Sequence, residues 1–127
     1  MDLKPITTIF FDVDGVFTDG SLYFSEDGAN ISKFNVHDGM GCILLKQTGI
    51  KILILTARHS DAVVRRFKEL GINKIFTNVL KKRDFIKKYS KLHNLEKKEL
   101  AMMGDDLQDL SAIDEVGFFF YHSKRYK

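Results

Sequence analysis

Short apolar runs alternate with segments of helical periodicity along this chain of 127 residues, and this alternation limits the possible folds more than any other feature. Strands are predicted at residues 7–13, 51–55, 74–77, 99–103 and 117–121. Helices are predicted at 38–48, from Ser60 or Asp61 to Gly71, at 83–93 and at 109–115. Strands that are apolar throughout and separated by helices form a parallel sheet covered on both faces. We therefore expect one α/β domain over residues 1–127.

One further segment breaks the alternation. Residues 21–25 and 30–35 are predicted to be two short strands on either side of a turn at 26–29. The sequence thus predicts a small β-hairpin inserted between the first strand and the first helix.

The composition narrows the class of protein. Hydrophobic residues make up 44% of the chain and charged residues 29%, as in ordinary globular domains. The lone cysteine, Cys42, has no partner for a disulfide within the chain and favours a reducing compartment. No apolar run approaches the ~20 residues of a membrane span. The net charge of +3 comes with lysine clusters that lack interleaved aromatics. We expect a cytoplasmic protein that binds neither membrane nor nucleic acid, and an anionic substrate is compatible with this charge.

Polar residues follow four of the predicted strands. Asp12 and Asp14 come at the end of the first strand and Thr56 after the second, while Lys81 and Lys82 come after the third. The fourth strand is followed by the acidic segment GDDLQD, residues 104–109. Ligands of parallel sheets bind beyond the carboxyl ends of the strands. The four polar segments are therefore expected at one edge of the sheet.

Each of these segments has a simpler explanation when taken alone. The DVDG segment could be a solvated turn, Thr56 could make a local backbone bond, the lysines could be solvated, and the acids after the fourth strand could cap a helix. A calcium loop is excluded, because Val16 and Tyr23 occupy positions that need oxygen ligands. Four such segments at one edge together match phosphoryl transfer, in which a metal neutralises charge and donors hold the phosphate oxygens.

The motifs DVDGV, a strand ending in Thr56, Lys82 and GDDLQD resemble those of the haloacid dehalogenase-like phosphatase superfamily. More narrowly, FFDVDGVFTDG, LYFSEDGANISKFNVHDGMG, LTARHS and MMGDDLQD are similar to the 3-deoxy-D-manno-octulosonate 8-phosphate phosphatases. The resemblance covers about residues 6–117. It implies a three-layer Rossmann-like sandwich with the hairpin insertion and no cap domain.

The resemblance also implies the chemistry. Asp12 would attack phosphorus to form an aspartyl-phosphate, and Asp14 would act as general acid and then general base. Mg²⁺ would be held by Asp12, the backbone carbonyl of Asp14 and Asp105, with Asp106 assisting directly or through water.

The resemblance assigns the substrate contacts in the same way. Thr56 and Lys82 would bind the phosphate, and Asp109 would orient Lys82. Lys82 is preferred to Lys81 because of the family spacing to the GDD segment. Arg58 would pair with the substrate carboxylate, which favours an octulosonate over a nonulosonate substrate. The hairpin would help to build a homotetramer in which a neighbouring subunit covers the active site.

Two departures from the family pattern leave alternatives open. Ala57 stands where the family has glycine, and residues 118–127 do not match the family at all. A nonulosonate 9-phosphate phosphatase is one alternative, and a non-catalytic regulatory or oligomerisation module of the same fold is another. A response-regulator receiver is disfavoured, because here the lysine precedes the last acidic cluster.

Overall fold

The computed structural model describes residues 5–13, 23–24, 30–31, 41, 46–104 and 110–121. Its strands are β1 (Thr8–Phe11), β2 (Tyr23–Phe24), β3 (Asn30–Ile31), β4 (Lys51–Leu55), β5 (Ile75–Phe76), β6 (Leu100–Gly104) and β7 (Phe118–Tyr121). Two α-helices are described, α1 (Asp61–Glu69) and α2 (Lys82–Leu92), together with 3₁₀ turns at Lys97–Glu99 and Ile113–Glu115.

Five of the strands form one sheet in the order β5-β4-β1-β6-β7. Every neighbouring pair in it is parallel, and Phe11 of the central strand lies beside Ile54 of β4 and Met103 of β6. Strands β4 and β5 lie on one side of β1, and β6 and β7, which come later in the chain, lie on the other side. The predicted α/β class with a parallel sheet is confirmed, and the carboxyl ends of β1, β4 and β6 are adjacent.

The two faces of the sheet carry separate apolar clusters, as expected for strands buried on both sides. One cluster contains Phe11, Val13, Ile52 and Ile54 with Phe67 of α1. The other contains Phe10, Leu53, Leu55 and Met102 with Ile86 of α2. Successive residues of β1 therefore face opposite sides of the sheet, with Phe11 on the α1 side and Phe10 on the α2 side.

Helix α1 begins and ends where the sequence predicts. Ser60 is its N-cap, and its hydroxyl accepts a hydrogen bond from the Val63 N–H at 3.4 Å. Gly71, with φ of 79°, turns the chain beyond the last helical turn. The buried Val63 and Phe67 lie one turn apart on the face that packs on the sheet.

Helix α2 is exposed at its end. Leu92 shares an apolar side of the helix with Phe85, yet 77% of its surface is exposed whereas Ile86 is fully buried. Leu92 lies two turns after Phe85, on the side of the helix that faces edge strand β5. Phe85 packs on Phe76 there, with ring centroids 4.8 Å apart. Because β5 is only two residues long, it does not extend far enough to cover Leu92 as well.

The remaining predictions are only partly covered by the described residues. β2 and β3 pair in antiparallel fashion within the two segments predicted as a hairpin. Gly41 and residues 46–47 have helical backbone within the predicted helix 38–48. In the predicted helix 109–115, Leu110 is helical but the chain then forms a turn and the 3₁₀ turn Ile113–Glu115. Within the described parts of the chain, no helix is both long and apolar enough to cross a membrane.

Candidate active site

Asp12 lies one residue beyond β1 and is held in place by the neighbouring strand. Its N–H donates to the Met103 carbonyl at 3.0 Å, so the β1–β6 ladder continues through the first residue after the strand. The residue is 4% exposed, and Val13 after it is completely buried. A carboxylate with so little access to water needs compensating partners.

Lys82 supplies one such partner. Its Nζ lies 3.0 Å from Oδ1 of Asp12, and both side chains are almost fully buried. The pairing follows from two periodicities. Asp12 is two residues beyond Phe10, so it lies on the α2 side of the sheet, and Lys82 is one helical turn before Ile86, so it lies on the buried stripe of α2. The neighbouring Lys81 is exposed, which agrees with the preference for Lys82.

Thr56 lies just beyond β4, the strand next to β1, and is 3% exposed. Its N–H donates to the Phe76 carbonyl at 3.0 Å, and its own carbonyl accepts from the Val79 N–H at 2.9 Å. The Arg58 N–H donates to Thr56 Oγ1 at 3.3 Å. The hydroxyl oxygen thus accepts a local bond, as in an ordinary turn, and its hydrogen can be donated to an anion. Arg58 itself is half-buried.

The structure therefore brings Asp12, Thr56 and Lys82 to the carboxyl edge of the sheet, with Asp12 and Lys82 in direct contact. Arg58 follows two residues after Thr56, and the remaining four predicted site residues, Asp14, Asp105, Asp106 and Asp109, lie outside the described residues. Gly104 ends β6 beside β1, so the chain enters the acidic segment at this same edge.

The donor chemistry at this edge suits a hard divalent cation. Mg²⁺ is bound in proteins by carboxylate oxygens, usually one or two, together with waters and phosphate oxygens. Asp12 is a carboxylate fixed by its backbone bond to β6, and in sequence GDD follows directly on that strand. Among the residues predicted to bind Mg²⁺, Asp12 is the one that lies within the described part of the chain.

A pair of loop residues at this edge was not singled out from the sequence. His59 Nδ1 is 3.2 Å from Thr77 Oγ1, so the segment after β4 contacts the segment after β5. The next residue, Asn78, has φ of 58°, a conformation that asparagine tolerates better than most residues. The partners are 18 residues apart and follow different strands, so no periodic signal links them.

A cavity of about 310 Å³ lies at the opposite edge of the sheet. Its lining includes Lys46, Lys51, Ile52, Ile72 and Lys74, which are near the amino ends of β4 and β5. Among the predicted site residues that the structure describes, none lines this cavity. Because ligands of open parallel sheets bind at the carboxyl ends of strands, we do not assign it to the predicted chemistry.

The known proteins that this chain resembles in sequence and in structure include several octulosonate 8-phosphate phosphatases. No protein-family model matches the chain. The 3-deoxy-D-manno-octulosonate 8-phosphate phosphatase from Moraxella catarrhalis, solved with magnesium, phosphate and a KDO molecule, is 40% identical with a TM-score of 0.86, and the match covers 91% of this chain and 67% of that one. The cobalt-bound phosphatase of the same name from Haemophilus influenzae is 34% identical with a TM-score of 0.86, over 94% of this chain and 70% of that one.

Curated sequences agree with these structures. The phosphatase of this name from Haemophilus influenzae is 35% identical over 118 residues, which are 93% of this chain and 66% of the relative. The Escherichia coli phosphatase is 31% identical over 90% of this chain and 61% of the relative. The chain thus spans a little under two thirds of the length of the curated relatives it matches.

Proposed function

Since the chain belongs to the 3-deoxy-D-manno-octulosonate 8-phosphate phosphatase family of haloacid dehalogenase-like proteins, we propose that it is a magnesium-dependent phosphatase. The proposed substrate is a phosphorylated keto-sugar acid, 3-deoxy-D-manno-octulosonate 8-phosphate. We further propose that the protein works in the cytoplasm as a homotetramer.

The observation that carries the proposal is the buried pair of Asp12 and Lys82 at the carboxyl edge of the sheet. A buried ion pair contributes little to stability by itself, because desolvation offsets much of the attraction. An enzyme that attacks a phosphate monoester with a carboxylate needs that carboxylate held in place near positive charge, and this edge is where parallel sheets bind ligands. The pair therefore supports catalysis over the regulatory-module alternative.

The proposed reaction has two displacements at phosphorus. An Asp12 oxygen attacks, the bond between phosphorus and the sugar oxygen breaks, and Asp14 gives its proton to that departing oxygen. Water then attacks the aspartyl-phosphate while Asp14 takes a proton from it. Inorganic phosphate leaves, and both carboxyl groups return to their starting states.

The binding residues act on the phosphoryl oxygens. The Lys82 ammonium, 3.0 Å from Asp12 Oδ1, is close enough to contact an oxygen of a phosphoryl group placed for attack. The Thr56 hydroxyl donates to a second oxygen from the neighbouring strand end. We assign to Asp109 the role of orienting the Lys82 side chain. Preorganised donors of this kind stabilise charge as it spreads over the equatorial oxygens.

Asp12, Asp105 and the backbone carbonyl of Asp14, with help from Asp106, would hold the Mg²⁺ ion, which would neutralise phosphate charge so that a carboxylate can approach the phosphate. We assign to Arg58 the role of pairing with the substrate carboxylate. Its N–H bond to Thr56 Oγ1 ties it to the phosphate-binding residue, so phosphate and carboxylate recognition come from one short segment.

The test is phosphate release from a panel of phosphorylated keto-sugar acids, with and without Mg²⁺. We expect turnover that needs Mg²⁺, is fastest with the octulosonate 8-phosphate and is abolished by Asp12→Asn. The control variant is Asp114→Asn, which removes an exposed carboxylate in the 3₁₀ turn before β7 and is expected to keep full activity.

The other outcomes discriminate among the alternatives. If the protein prefers a nonulosonate 9-phosphate, the proposed substrate is wrong but the proposed mechanism stands. Full activity of Asp12→Asn would overturn the mechanism. A folded protein that is inert on the whole panel would favour the regulatory module, and sedimentation of the same sample tests the tetramer.

A further inference from the structure

The imidazole of His59 joins the loop that contains Thr56 to the loop that leads from β5 into Lys82 at the start of α2. Its Nδ1 lies 3.2 Å from Thr77 Oγ1, just beyond β5, and its Nε2 lies 3.0 Å from Asp61 Oδ1, at the first turn of α1. The ring is about half exposed and the Asp61 carboxylate is almost fully exposed. Solvent screens the contact with Asp61, so this contact contributes little to stability but helps to orient the imidazole ring.

The partners of the ring determine its tautomer. A carboxylate only accepts hydrogen bonds, so Nε2 must carry the hydrogen that points to Asp61. In the neutral ring Nδ1 is then an acceptor, and the Thr77 hydroxyl donates to it. The side chain thus bridges the two loops as the Nε2–H tautomer, with its Nδ1 committed to Thr77.

The bridge reinforces a backbone connection between the same two loops. The Thr56 carbonyl accepts from the Val79 N–H, and the Thr56 N–H donates to the Phe76 carbonyl. Those bonds hold the loops together at their base, next to the sheet. The contact between His59 and Thr77 holds them together further along the chain, on the Arg58 side of Thr56 and five residues before Lys82.

We propose that His59 is a positioning residue that fixes the segment bearing Thr56 and Arg58 against the segment that leads into Lys82. This inference rests on the proposed phosphatase function. His59 acts through Thr77 and contacts neither the substrate nor the metal. Phosphoryl transfer depends on donors that are already in place when charge develops, so a slack connection between these loops lowers turnover without removing any donor.

The test compares turnover in variants of the bridge. His59→Ala and Thr77→Val each remove it, and we expect kcat to fall about tenfold while KM changes less than about twofold, because the donors remain but are less well placed. The double variant should lose no more than either single variant, because all three lack the same contact.

Conservative variants serve as matched controls. His59→Asn places an amide oxygen near the Nδ1 position and Thr77→Ser keeps the hydroxyl, so both are expected to recover most of kcat. A purely structural role would lower the melting temperature and leave the kcat of the folded protein unchanged. Such a result, or losses that add in the double variant, would overturn the proposal.

Two further measurements separate this inference from the proposed function. In nitrogen-15 NMR of the histidine rings in alkaline buffer, His59 is expected as the Nε2–H tautomer, and an Nδ1–H tautomer would refute the bridge whatever the activity. If the protein releases phosphate from no substrate, the proposed function fails. Titration with inorganic phosphate and Mg²⁺ then replaces turnover: about threefold weaker binding by Thr77→Val supports positioning, and unchanged affinity overturns it.

Discussion

Replacing Lys82 with methionine removes a buried charge while keeping most of the side-chain volume. At 3.0 Å and an effective dielectric constant of about 20, two unit charges attract by roughly 5–6 kcal/mol. Much of that attraction is offset by desolvation in the intact protein, but the variant leaves the Asp12 carboxylate buried and without this cation. Breaking a buried pair from one side typically costs about 3–5 kcal/mol. We expect Lys82→Met to lower the free energy of unfolding by about that amount.

Urea denaturation in metal-free buffer measures the effect, because no bound cation then compensates Asp12. The midpoint should fall by about 1–3 M with little change in slope. Lys81→Met is the matched control: it removes an exposed lysine from the adjacent position and should change stability by less than about 0.5 kcal/mol.

A double-mutant cycle with Asp12→Asn isolates the interaction. Asp12→Asn leaves the ammonium without the carboxylate and should also destabilise the protein. The double variant has neither charge and should be more stable than either single variant. If Lys82→Met is no more harmful than Lys81→Met, or if the two single effects simply add, the reasoning about a buried, mutually compensating pair is wrong.

Three other perturbations test the fold and the site. A Cβ on Gly117 would lie 2.9 Å from the Lys97 carbonyl oxygen, so Gly117→Ala should destabilise the protein by about 1–3 kcal/mol in urea denaturation, whereas Gly41→Ala, with no described atom within 4 Å of the new Cβ, should not. Ile86→Ala should cost about 2–5 kcal/mol and Leu92→Ala less than about 0.5, because only Ile86 is buried; equal losses would contradict the described packing of α2. Removal of metal by EDTA should abolish phosphate release and added Mg²⁺ should restore it, whereas EDTA-resistant activity would rule out a metal-dependent mechanism.

The pairing of Asp12 with Lys82 could be anticipated in part from the sequence. Alternation in β1 puts Asp12 on the same face as Phe10, and helical spacing puts Lys82 on the same stripe as Ile86. Those patterns distinguish Lys82 from Lys81. They do not say which face of the sheet α2 covers, so the contact itself depends on the order of the strands and the side on which each helix crosses.

The exposure of Leu92 could not be predicted from the sequence for a related reason. Periodicity indicates which side chains share a stripe on a helix, but burial also needs a surface opposite that stripe. β5 is a two-residue strand at the edge of the sheet, so the end of α2 has little beneath it. Neither the length of an edge strand nor its position at the edge is encoded in the spacing of apolar residues on the helix.

The sequence alone determined the class of fold and the edge at which the chemistry gathers, because apolar runs separated by helical segments force a parallel sheet and strand ends in such a sheet point one way. The tertiary structure decided which residues touch. Lys82 meets Asp12, and His59 meets Thr77, through crossings between elements far apart in the chain. Local periodicity indicates which face of a strand or helix a residue lies on, but it does not indicate which elements meet, since that depends on which strand lies beside which.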